Sequence, residues 1–293
     1  MTDRKKKEKK RVTLSDVSKV AGVSVMTVSN VVRGKDKFVG LKTRKHVEEV
    51  LARMNYRINV SARNLRVAEE YSVGMVIVNS DPAFLIDPFI SRLVSGLSNY
   101  LSRLDYTLDI QGVVPERFEK ATILSKARND ALCAVLCGPE ETRREYMAYL
   151  QRLGQPLVIF QEVFKSPAPD VAIIRQDDQA GGTMLMQHLL KKSLRKCVFL
   201  RPEIEWPAVE QREKGLRNAL SESGNEECDV TILHTPSEKF DDVQKTVAEY
   251  LSKHTPDAIM AATDSMAVAA LKVCEDRGLQ VPEDIMITGF NGF

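Results

Sequence analysis

Up to about residue 56 the apolar residues come in short bursts at helical spacing. Leu14, Val17 and Val20 share one face, Val28, Val31 and Val32 another, and Val47, Val50, Leu51 and Met54 a third. This pattern predicts three short helices, over about 14–20, 25–33 and 42–54. Thr13 and Asp16 have the spacing of a capping box at the first. "AGV" (21–23) reads as a tight turn, Ser24 as the cap of the second helix, and Gly34 as its left-handed end. Two short helices joined by a three-residue turn, with a third behind them, fit a helix-turn-helix. The second helix has an odd mixture: Val25, Met26 and Asn30 fall outside its apolar stripe.

From Ser72 onward the rhythm becomes that of alternating strands and helices. Apolar runs at 73–78, 107–111, 131–137, 156–160, 171–175, 196–200, 230–234, 258–262 and 284–288 predict strands. Amphipathic stretches at 179–191, 208–223, 240–252 and 265–277 predict helices between them. The expected fold class is therefore α/β, a small all-α helix-turn-helix domain followed by a two-lobed core of parallel sheets. "QEVFKSPAPD" (161–170), with Pro167 and Pro169, marks the expected break between lobes. The domain reading is a basic tail over 1–11, the helical domain over 12–57, a hinge over 58–71 and the core over 72–293. Its lobes would cover about 72–161 and 162–293. Ligands of doubly wound folds sit beyond the carboxyl ends of the strands.

Charge adds a polyanion to this picture. Of 42 Lys and Arg, 18 fall in residues 1–70 with only 8 of the 40 Asp and Glu, so a basic module precedes an acidic core. Nucleic acid is the first partner this suggests and an anionic membrane surface the second. The basic run "RKKKEKKR" (4–11) is also consistent with a solubilising tail. No apolar run reaches the roughly 18 residues of a membrane span, and no apolar segment of a secretory signal follows the basic start. The five scattered cysteines read as reduced thiols rather than a disulfide framework. The four histidines are isolated, and the sequence contains no metal-ligand cluster, phosphate loop or nucleophile elbow. We expect no cofactor and no enzymatic activity.

"VTLSDVSKVAGVSVMTVSNVVRG" (12–34), "VGLKTRKHVEEVLARMNY" (39–56) and "SARNLR" (61–66) resemble the lactose repressor/galactose repressor (LacI/GalR) family of bacterial transcription regulators. "RPEIEWPAVEQREKGLRNAL" (201–220) and "DAIMAATDSMAVAALKVCEDRGLQVPEDIMITGF" (257–290) resemble its periplasmic-binding-protein-like core. The resemblance runs over nearly the whole chain after residue 11. Family members continue beyond "GFNGF" and return to the first lobe, so it implies a core incomplete at its C-terminal side, with a sheet edge left open in that lobe.

The resemblance implies that Val25, Met26 and Asn30 occupy base-reading positions at the start of a helix lying in the major groove. Val25 and Met26 suit thymine methyl groups, and Asn30 can bond adenine at N6 and N7. The alternative for Val25 and Met26 is the core. Thr13, Ser24, Thr27 and Ser29 are read as phosphate ligands or caps, and Arg33, Lys37 and Lys42 as phosphate-facing cations. In the hinge, Leu65 would wedge into the minor groove with Arg63 and Arg66 beside it. Ile58 stands where the family usually has proline.

For the core, the resemblance implies that Arg212, in "QREKG", points its donor fork into a ligand cleft. Asp264 would either grip ligand hydroxyls or cap the next helix. Asn291 stands where the family usually has aspartate, which removes one carboxylate. Phe89 and Gln161 are expected in the cleft wall, Phe160 in the core, and Trp206 either stacks on a ligand ring or plugs a loop. "KSLRK" (192–196) replaces the usual Gly-His-Arg turn.

The expected function is a cytoplasmic, sequence-specific regulator, most simply a repressor. It would bind a pseudo-palindromic double-stranded DNA operator as a homodimer and answer to a small, sugar-like effector in the interlobe cleft. Two alternatives stay open: a small-molecule binding protein with a non-specific polyanion anchor, and a regulator answering to a protein partner.

Overall fold

The computed structural model describes residues 12–32, 34–56, 70–79, 84–125, 129–165, 168–192 and 194–293. The chain divides into two compact units, Met1–Glu70 and Tyr71–Phe293.

The first unit carries three helices: α1 (Leu14–Ala21), α2 (Val25–Val32) and α3 (Leu41–Arg53). The expected capping box starts α1. The Thr13 hydroxyl accepts from the Asp16 N–H at 3.2 Å, and the Asp16 carboxylate accepts from the Thr13 N–H at 2.9 Å. Gly22 turns the chain at φ 65°, a conformation that costs glycine no Cβ clash. The Ser24 hydroxyl then accepts from the Thr27 N–H at 3.1 Å, which starts α2 as expected. Val17, Ala21, Val28, Val47 and Val50 form the core, with Val31, Val32, Leu51 and Met54 packed on it. Val20 departs from the expected stripe: it is 48% exposed, and Ala21 takes the buried place instead. Truncating one of these fully buried valines to alanine costs about 1–3 kcal/mol, a large share for so small a core.

The second unit is built from two parallel sheets. The first has the order β2-β1-β3-β4-β5, from β1 (Ser72–Val78), β2 (Thr107–Val113), β3 (Ala131–Val135), β4 (Leu157–Phe160) and β5 (Val171–Ile174). The second has the order β7-β6-β8-β9, from β6 (Lys196–Pro202), β7 (Asp229–Thr235), β8 (Ala258–Ala261) and β9 (Met286–Thr288). Helices α4 (Pro88–Ser102), α5 (Thr122–Ser125) and α6 (Glu140–Arg152) precede β5 in the chain. Helices α7 (Asp178–Leu190), α8 (Pro207–Ser223), α9 (Phe240–Leu251) and α10 (Asp264–Asp276) follow it. Central strands such as β1 and β8 are buried along their whole length, as parallel strands covered on both faces must be.

All nine expected strands form, but the lobe boundary is not where the prolines suggested. Strand β5 pairs parallel to β4, Leu157 opposite Val171, so the first sheet extends to Ile174 and the crossing follows it. A short excursion after β4, not a change of lobe, explains the proline-rich segment. The two lobes also meet through side chains. The buried Arg143 of α6 pairs with Glu162 at 3.0 Å and reaches Glu210 of α8 at 3.6 Å. Trp206, just before α8, packs against the cores of both sheets.

Candidate functional site: an exposed helix face and an interlobe cavity

On α2 the exposure divides as the odd mixture suggested. Val28 is fully buried, while Val25 is 45% and Met26 69% exposed, with Asn30 half-buried. The core alternative for Val25 and Met26 is thus not adopted within this unit. Ser24 and Thr27 share a 2.9 Å hydroxyl contact at the helix start. Ser29 is 9% exposed within this unit. The Thr13 hydroxyl is already committed to Asp16. Lys37 and Lys42 are exposed. Arg33, Arg63, Leu65 and Arg66 lie outside the described residues, and so does Ile58.

In the second unit a cavity of about 500 Å³ opens at the carboxyl ends of the strands of both sheets. Its size is that of a small-molecule site. Asn79 follows β1, Leu136 follows β3, Gln161 follows β4, Ile204 follows β6, Thr263 follows β8 and Asn291 follows β9. All six line it. The expected Phe89, Gln161, Arg212, Asp264 and Asn291 all reach this one cavity, and Trp206 forms part of its wall. Phe160 is buried in the first-lobe core, as expected.

Glycines decide where Arg212 sits. A Cβ on Gly215 of α8 would collide with the Gln179 carbonyl, and one on Gly182 of α7 with the Arg212 carbonyl. The two helices therefore touch backbone to backbone. This close approach brings Arg212 onto Asp178 of α7, with Nε and Nη2 each 2.9 Å from Oδ1. Nη1 also donates to the Ala262 carbonyl at 2.5 Å, and the guanidinium lies 3.9 Å from the Phe290 ring centroid. The fork is held rigid, and its two remaining N–H groups are what it can offer a ligand. Burial raises the Asp178 pKa while Arg212 opposes that rise.

Asp264 does not cap its helix. Thr263 does, accepting from the Met266 N–H at 3.4 Å, and Asp264 Oδ2 accepts the Phe293 N–H at 2.8 Å. Gln161 (φ 64°) and Asn291 (φ 92°) both adopt left-handed backbone, a strained state for a non-glycine residue that clusters at ligand sites. Gln176 joins them: it accepts from Gln161 Nε2 at 2.8 Å and donates to Asn291 Oδ1 at 3.2 Å.

Three functional groups escaped the sequence. Asp178 carries no spacing signal. Asp87 lines the cavity and caps α4, with Oδ1 accepting from Phe89 N–H at 2.7 Å; the "DP" pair at 87–88 is a helix-start signal that points to it. Glu238 sits in the loop after β7 and lines the cavity. Burial, and then the Asp87 carboxylate, push its pKa up to about 7 against the pull of Arg212.

Residues 13–59 match the family model for bacterial regulatory proteins of the lacI family, and residues 186–293 match that for a periplasmic binding protein-like domain. The HTH-type transcriptional repressor PurR of Aliivibrio salmonicida is 28% identical over 284 residues, 95% of this chain and 82% of that protein. Catabolite control protein A of Staphylococcus epidermidis is 27% identical, with 96% and 82% covered. The fold is similar to that of the lac repressor dimer bound to operator and the anti-inducer ONPF (TM-score 0.81, 22% identity, 97% and 83% covered). It is also similar to the transcriptional regulator CelR in its cellobiose complex (TM-score 0.62, 25% identity, 95% and 82% covered).

Proposed function

We propose that the chain is a member of the lacI family of bacterial regulatory proteins, a sequence-specific transcriptional repressor controlled by a small-molecule effector. It works in the bacterial cytoplasm, as a homodimer on a pseudo-palindromic operator. The HTH-type transcriptional repressor PurR and catabolite control protein A are among its relatives. Among the described residues no helix is long and apolar enough to cross a membrane.

The observation that carries this reading is the outward face of α2. A capped helix whose second residue is a 69% exposed methionine has no reason in its own core for that choice. Placed in a major groove, Val25 and Met26 pack on thymine methyls and Asn30 bonds an adenine. Ser24 and Thr27 hold a phosphate at the helix start, and Lys37 and Lys42 add sequence-independent attraction. In the second unit, a ligand in the cavity touches both lobes. It can therefore favour one lobe arrangement over another and shift the DNA-binding state.

Selection of bound sites from random duplex DNA tests the reading. The expected result is one enriched two-half-site motif with thymines and an adenine in each half, bound with an affinity that falls steeply with salt. Recovery of unenriched DNA by the full chain would overturn it.

A further inference from the structure

The charges around the cavity are unbalanced. Asp87 projects from the first lobe and Glu238 from the second, and Asp264 lines the same space. Against these three carboxylates stand Arg212 and the exposed Lys239 at the start of α9. Arg212 neutralises them only in part: its charge pulls on Asp87 and Glu238, but its guanidinium is shared with Asp178, the Ala262 carbonyl and the Phe290 ring. Asp87 uses Oδ1 on the α4 cap and keeps Oδ2. No hydrogen-bond donor among the described residues reaches Glu238. The rest of the wall is largely apolar and aromatic, with Phe89 and Trp206 on it.

Such a site repels a phosphate or carboxylate. A neutral sugar can accept and donate there, but it adds no positive charge to the partial compensation that Arg212 and Lys239 give Asp87 and Glu238. Resting on the reading of this cavity as the effector site, we propose that its ligand carries a protonated nitrogen set between Asp87 and Glu238. Its ring or carbon frame lies on the aromatic wall. A single ammonium there donates to one carboxylate from each lobe, so it draws the lobes together as well as filling the space. This makes the ligand a closing clamp whose charge is the specificity element. Cation–π contact with an aromatic ring adds to the preference. The burial that pushes Glu238 up to about 7 has a second consequence. An arriving cation favours the ionised carboxylate, so binding at neutral pH releases a proton from Glu238.

The test uses the full chain and a library of ring-bearing amines, each paired with its alcohol and its carboxylate; glucosamine, glucose and glucuronate are one such set. Thermal shift finds the binders, and calorimetry in buffers of different ionisation heat measures affinity and proton release. The expected result is that amines bind about tenfold or more tighter than their alcohols, that carboxylates do not bind, and that protons are released. Glu238→Gln and Asp87→Asn, which keep shape and the α4 cap, are expected to abolish the preference for the amine and, for Glu238→Gln, the proton release. Equal or tighter binding of alcohols or carboxylates, or the absence of any amine binder, would overturn the proposal. These readings are made without DNA. Loss of the amine preference with operator binding intact therefore removes this inference alone, and loss of operator binding removes the regulator reading alone.

Discussion

Arg212 and Asp178 meet through two donors on one oxygen, Nε and Nη2 each lying 2.9 Å from Oδ1. Both side chains are about 95% removed from solvent. Removing one partner of such a pair leaves the other charge buried and alone, which costs far more than the pair itself contributes. Arg212→Ala is expected to lower the unfolding free energy by about 3–5 kcal/mol, read from urea denaturation. Arg212→Lys, which cannot offer the fork, should restore little of it. An Arg212→Ala chain as stable as the wild type would show that the pair is not formed.

The contact depends on two glycines. Gly215→Ala places a methyl group against the Gln179 carbonyl, which is backbone and cannot swing aside. The helices must part, at a cost of about 1–3 kcal/mol, and Arg212 moves with them. Ligand affinity should therefore fall while affinity for random duplex DNA, set by the other unit, stays near its starting value. Denaturation and calorimetry on the same variant check both halves.

Glu238 gives the stability of the core a pH signature. Its folded pKa is pushed up to about 7 from 4.5, so the native state holds a proton that the unfolded chain releases. The resulting stabilisation is complete below about 4.5 and is lost as pH rises through about 7. The unfolding midpoint should fall across this window, with Asp87, whose pKa burial also raises, adding to the trend. Glu238→Gln should flatten the curve and leave the variant the more stable of the two at pH 8. Thermal scans from pH 5 to 8 measure it.

The capping box on α1 fixes how the helix-turn-helix begins. Thr13→Ala removes a hydroxyl that both accepts from the Asp16 N–H and contacts the Asp16 carboxylate at 2.7 Å. The expected cost is about 1 kcal/mol, seen as faster amide exchange in the first turn of α1 and weaker DNA binding.

Much of this was legible in the sequence because periodicity reports burial. All nine strands form, and α2 separates Val28 from Met26 as its mixed pattern indicated. The errors lie where local pattern does not decide. Val20 has helical spacing but exceeds what a three-helix core can cover. Strand β5 is four residues long and joins its sheet by pairing with β4, a long-range choice that proline spacing does not encode. Asp178 and Glu238 matter only through partners 34 and roughly 150 residues away, so no motif marks them. Arg212, Asp264 and Asn291 were found from a family resemblance, not from periodicity.

The central claim is that α2 reads DNA sequence. It is tested most directly by the ratio of affinities for the selected operator and for a scrambled duplex of equal length, at physiological salt. A ratio of about a thousand or more is predicted for the full chain. Asn30→Ala should lower it by about 1–3 kcal/mol, and only when the adenine is present in the half-site. Equal affinity for operator and scrambled duplex would contradict the account.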